Sequence, residues 1–195
     1  SEMCIRDRAD LVQDAYDQTG IFADEEESRG FGAVAALYTE TCQVVVRADS
    51  DIRSIEDLHG RTVSIGAEES GSEQNARQIL SAYGLNDKMV SMVNLNYEDA
   101  AAQLKAGRVD AIFMTVGAPS PVLTALADEC GIRLLNVDGA AAQRLQSAYS
   151  AYSGVTLPAG TYPGQTEEVQ TVGVKAVLLL SLIHISEPTR LRCIS

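Results

Sequence analysis

The sequence predicts an α/β fold, a parallel sheet with helices on both faces. Three observations carry it. Short apolar runs alternate with longer stretches of helical periodicity from Thr62 to Tyr149. Glycines close the first two of these helices, at Gly84 and Gly107. Strand, helix and strand recur at a spacing that fits right-handed crossovers.

The elements follow in order. Ala9–Gly20 places Leu11, Val12, Ala15 and Tyr16 on one helix face, and Asp24–Ser28 is an acidic turn. Phe31–Tyr38 and Cys42–Arg47 are rich in strand formers. Ser54-Ile55-Glu56-Asp57 is a capping pattern for a short helix ending before Gly60. Strands are then expected at Thr62–Ile65, Met89–Leu95, Val109–Met114 and Ile132–Val137. The helices between and after them are Ser72–Tyr83, Tyr97–Ala106 behind an Asn96 cap, Pro121–Glu129 and Ala140–Tyr149.

Composition narrows the function. The 195 residues hold 15 basic and 27 acidic side chains, a net charge of −12, so no basic stripe is available for nucleic acid. The longest apolar stretch, Val172 to Ile185, is too short to span a membrane and is interrupted by Lys175, Ser181 and His184. Ser1–Arg8 and Ser181–Ser195 resemble translated sequencing-adaptor sequence and are expected to stand outside the fold. Cys42 and Cys130 remain between them, two buried small hydrophobes rather than a disulfide framework, and no spacing fits a metal or a cofactor.

In such sheets ligands bind beyond the carboxyl ends of the strands, where strand order reverses. Three loops qualify: Gly66–Ser72, Thr115–Ser120 and Leu157–Gln165. In the first, Ser70-Gly71-Ser72-Glu73 opens a helix, which directs main-chain N–H groups and the positive end of the helix dipole at one spot. Ser70 or Ser72 as an ordinary N-cap gives the same residues, so spacing leaves both readings open. Tyr162 is either a packed ring or a ligand wall. Arg47 is either a bidentate clamp for a carboxylate or a residue satisfied by Asp49 or Asp51.

Four ordered segments carry a resemblance: VVVRADSDIRSIEDLHGRTVSIGAEESGSEQNARQIL, LKAGRVDAIFMTVGAPSP, IRLLNVDG and PAGTYPGQ. Together they resemble the TAXI-type solute-binding proteins of TRAP transporters, over about Asp10 to Leu180. The resemblance implies a periplasmic binding protein-like type II fold with two α/β lobes and a hinge. Lobe one would hold 9–46 and 132–180, lobe two 47–131, with crossings near 45–48 and 115–132. It implies an extracytoplasmic, periplasmic location and capture of a small organic acid or amino acid, glutamate or a dicarboxylate. The ligand would pass to TRAP membrane subunits, so that the membrane is met only through the permease.

Carried over by motif, Ser70, Gly71, Ser72 and Glu73 would cradle a carboxylate, with Thr115 and Gly117 opposite, Tyr162 and Tyr38 as walls and Arg47 as a clamp. The family's turn has glycine and threonine where this chain has Glu69 and Ser72. Its tyrosine-bearing first strand and its last helices are unmatched, so the resemblance implies a fragment with an exposed sheet edge and poor solubility or binding. The other classes are a ligand-sensing domain or an enzyme on the same superfold. For an enzyme, Glu68, Glu69 and Glu73 are the only candidate acids, and no nucleophile–base pair accompanies them, so no catalytic residue is expected.

Overall fold

The computed structural model describes residues 4–8 and 31–181. The expected helix at Ala9–Gly20 and the acidic turn at Asp24–Ser28 lie outside the described residues. Eight strands and four helices follow in order: β1 (Cys4–Arg8), β2 (Phe31–Arg47), β3 (Thr62–Ser64), α1 (Gly71–Ala82), β4 (Ser91–Val93), α2 (Tyr97–Lys105), β5 (Ala111–Val116), α3 (Pro121–Cys130), β6 (Ile132–Leu135), α4 (Gly139–Ala148), β7 (Tyr152–Leu157) and β8 (Val169–Ser181).

All eight strands join one sheet with the path β1-β8-β2-β5-β3-β4, to which β6 adds against β2 and β7 against β8. The expected parallel pairing holds where crossover helices connect strands: β3 pairs parallel with β4 and with β5. The rest is antiparallel. Residues 31–41 of β2 run against β8, and residues 41–47 run against β5 and β6. The two segments read as separate strands, Phe31–Tyr38 and Cys42–Arg47, are thus one strand of 17 residues that ends at Arg47. Strands β7 and β8 were not anticipated. They form an antiparallel pair around the turn-rich loop at 158–168, and Tyr152 and Leu157 mark the buried ends of β7.

Period-2 alternation along the central strands feeds two cores. Cys42, Val44 and Val46 of β2, with Ala111 and Phe113 of β5, meet Ala76, Ile79 and Leu80 of α1 and Leu145 of α4. Val45, Ile112 and Met114 point the other way, to Leu104 of α2 and to Leu123 and Leu126 of α3. Helices therefore cover both faces, α1 and α4 on one, α2 and α3 on the other.

Several ends differ from the sequence reading. Strand β4 shrinks to three residues because it is an edge with a single partner. The short helix at Ser54–Asp57 is one 3-10 turn, Glu56–Leu58. The Asp57 carboxylate accepts the N–H groups of Arg53 at 2.8 Å and Ser54 at 3.0 Å, which is the reaching-back half of a capping box. Cys4–Arg8, expected to stand apart from the fold, pair with Ala176–Leu180 of β8. An open row of strand N–H and C=O groups accepts any extended segment within reach. Cys42 is buried as expected, whereas Cys130 at the end of α3 is partly exposed.

Ile79 is 0% exposed at the centre of the α1 core. Replacement by alanine is expected to cost about 2–5 kcal/mol in chemical denaturation, with α-helical circular dichroism retained below the midpoint.

Candidate functional site

The site grows from the end of β3. After Ser64 the chain turns at Gly66, φ 98°, into α1. A Cβ at Gly66 would lie 2.8 Å from the Ser72 Cβ and 3.2 Å from the Glu73 nitrogen, so only glycine lets the loop lie against the helix start. Ser70 is the N-cap: its Oγ accepts the Glu73 N–H at 3.2 Å and donates to the Ala67 carbonyl at 2.6 Å. The cap thus satisfies the Glu73 N–H, and the Ser70 carbonyl accepts the Gln74 N–H at 3.2 Å.

After β3 the chain goes to the α1 face, and after β5 to the α3 face. The crevice between the carboxyl ends of β3 and β5 is therefore the point where strand order reverses. Ser72, 6% exposed, lies in it with its Oγ 2.5 Å from the Tyr97 hydroxyl and accepting the Thr115 N–H at 3.4 Å. Tyr97 also donates to the Thr115 carbonyl at 3.0 Å. Below, Asn75 donates to Thr115 Oγ1 at 3.3 Å, and the Cys42 sulfur lies 3.6 Å from both groups. Two residues on, Gly117 faces open space, with nothing within 4 Å of where a Cβ would stand.

The structure thus brings Ser70, Gly71, Ser72, Thr115 and Gly117 to one crevice. Glu73 turns aside from it. Its carboxylate accepts two bonds from Arg77, at 2.9 and 3.1 Å, and the Glu69 N–H at 2.8 Å. Partial burial pushes its carboxyl up, but the bonds from Arg77, from the Glu69 main chain and from Asn94 outweigh this and hold it below the ordinary value. Glu69 has φ 57°, a conformation that glycine adopts without strain and that accounts for the glycine of the motif it resembles; its side chain is exposed.

Tyr38 is 41% exposed and donates to Glu40 at 3.3 Å. It lies on the β2 face that carries Cys42, three residues before the Thr41–Val116 pair at the crevice. Tyr162 is 2% exposed, a packed ring rather than an open wall. Its hydroxyl donates to Gln43 Oε1 at 2.5 Å and accepts the Ser120 N–H at 3.0 Å, while Gln43 donates to the Val116 carbonyl at 3.2 Å. From the opposite face of the sheet, these bonds fix both ends of the 116–120 loop. Burial pushes the Tyr162 phenol up.

Arg47 does not belong to this group. Thr41 pairs with the last residue of β5 and Val46 with the first, which puts Arg47, six residues beyond Thr41, roughly 20 Å away along the strand at about 3.4 Å per residue. Its guanidinium grips Asp49 through two bonds, at 2.9 and 2.5 Å, and the Asp49 carboxyl is held below its usual range by them. It lines a separate depression of about 370 Å³ with Asp49, Asp51 and Asp110, where Arg61 also pairs with Asp51 at 2.6 Å.

Sequence reasoning passed over Asn75, Tyr97 and Gln43. Asn75 had a signal: with Ser72, Ala76 and Ile79 it lies on the i, i+3, i+4, i+7 stripe that α1 buries, where a polar side chain needs a partner. Among the described residues no helix is long and apolar enough to cross a membrane, and no His, Cys, Asp and Glu group could hold a metal ion.

The NMT1-like family model matches residues 8–181. The architecture is mixed α/β, one sheet with helices on both faces. Among solved structures, the periplasmic aliphatic sulphonate binding protein SsuA from Escherichia coli gives a TM-score of 0.47 at 24% identity, over 54% of this chain and 35% of that one. The sulfonate-binding SsuA from Methylobacillus flagellatus KT gives 0.47 at 26%, over 54% and 30%. An ancestral arginine-binding protein bound to arginine gives 0.47 at 18%, over 83% and 55%. This chain spans between 30% and 55% of the length of those three chains.

Two outcomes test the geometry. Gly66→Ala is expected to destabilise the protein by about 1–3 kcal/mol, read by denaturant titration, because the methyl meets Ser72 and the φ is strained. A carboxylate depressed in the folded state adds stability above its unfolded pKa and loses it as pH falls through the folded one. Glu73→Gln is therefore expected to lower Tm at pH 7, and the gap to wild type should close as pH falls below the ordinary value of 4.5.

Proposed function

We propose that this chain, which belongs to the NMT1-like family, is a solute-binding protein that captures a small organic acid for a membrane transporter. One observation carries the reading: the first turn of α1 opens beside the unfilled space at Gly117, in the crevice where strand order reverses. A ligand carboxylate lies there against main-chain N–H groups at the positive end of a helix, with the Thr115–Gly117 strand end opposite and Tyr38 at the rim. Glu69, the residue whose charge would oppose such a ligand, is exposed to solvent. The motif resemblance refines this to glutamate or a dicarboxylate, an extracytoplasmic location and a TRAP-type permease as the recipient. It also supports two lobes, 9–46 with 132–180 and 47–131, with crossings near 45–48 and 115–132. Binding without chemistry fits the carboxylates of the loop: Glu68 and Glu69 are exposed and Glu73 is bonded to Arg77.

Thermal-shift titration of the full chain with L-glutamate, succinate and the uncharged diol 1,4-butanediol tests the reading. The acids are expected to raise Tm and the diol to leave it unchanged. Gly117→Leu fills the open space without a clash and is expected to abolish the rise while leaving the unliganded Tm within a few degrees. An acid-specific rise that persists unchanged in Gly117→Leu would remove the site from this crevice.

A further inference from the structure

The hydroxyls that line the crevice are not equivalent to free donors, and their hydrogens can be counted. A carbonyl oxygen only accepts, so the single hydrogen of the Tyr97 hydroxyl goes to the Thr115 carbonyl at 3.0 Å. The Tyr97 oxygen must then accept in its 2.5 Å contact with Ser72, which spends the Ser72 hydrogen. The Thr115 N–H, at 3.4 Å, takes a lone pair of the Ser72 oxygen. What Ser72 has left is acceptor capacity alone, and an anion finds no donor there.

The contact also has an architectural side. Tyr97 opens α2, which packs on one face of the sheet, whereas Ser72 opens α1 on the other. Their hydroxyls meet over the carboxyl end of β5, so the pair is a clasp between the two helical layers at the floor of the crevice. We infer that Tyr97 draws the Ser72 hydroxyl inward to form this clasp, and that Ser72 therefore has no hydrogen to offer an anionic ligand in the crevice. The inference rests on the anion site proposed above, but the clasp itself can be tested without a ligand.

The experiment is a double-mutant cycle on the full chain with Ser72→Ala, Tyr97→Phe and both, read by Tm and by the Kd for L-glutamate. Each single variant is expected to lower Tm, and the double variant to fall no lower than the weaker single, because one hydrogen-bonded unit is being removed. Glutamate affinity in Ser72→Ala should stay within about threefold of wild type, since no ligand bond is lost. Tyr97→Phe frees the Ser72 hydrogen and should bind glutamate at least as tightly as wild type despite its lower Tm, which a merely structural role would not produce. Two results would overturn the inference: Tm losses that simply add, or a loss of about tenfold or more in Ser72→Ala affinity. If wild type does not bind L-glutamate, the proposed ligand falls and the Tm cycle alone decides for or against the clasp.

Discussion

The long strand β2 is the constraint on which the other elements depend. It runs antiparallel through the sheet, and its alternate side chains enter opposite cores, Val44 and Val46 on one face and Val45 on the other. Against β5 no shift of one residue is tolerable, because every side chain there would change face. That fixed register places Cys42 against Thr115 and Thr41 against Val116. It therefore decides where β5 stops, how far the 116–120 loop reaches, and which part of α1 lies beside it.

The candidate site follows from that placement. Two helices on opposite faces begin near the same strand ends, and close approach there is allowed by Gly66, where any side chain would strike α1. The floor of the crevice is polar and satisfied: Asn75, Thr115, Ser72 and Tyr97 bond to one another or to main chain. Buried polar groups that are fully paired fix a single geometry, whereas unpaired ones would cost stability. On the far face, Tyr162 and Gln43 do the same for the loop that follows β5. The crevice is thus held from both sides of the sheet.

Electrostatics sorts the charged residues. The carboxylate at position 73 is committed to Arg77 and to the loop main chain, and the guanidinium at position 47 to Asp49. These pairings remove both groups from the inventory of ligand contacts. What remains at the crevice is the helix start, hydroxyl oxygens and open space. A small anion, the ligand proposed above, would meet the helix start there.

Much of this was legible in the sequence. Periodicity located α1 to α4 to within a residue or two, since each has a cap or a glycine stop and an apolar stripe, and these are local features. The Ser70–Glu73 turn was legible for the same reason. The strands β7 and β8 were not, because their pairing is non-local and their apolar runs carry no period that separates strand from loop. Nor could the sequence separate Arg47 from Ser72. Both lie in motif segments, and only the antiparallel register of β2 against β5 sends them to opposite ends of the sheet. The sequence by itself determined the helices, the turn and the alternation that builds two cores. The tertiary structure alone decided that Tyr97 meets Ser72 and that Tyr162 packs inward, because hydrogen-bond partners 25 and 119 residues apart are brought together only by the fold.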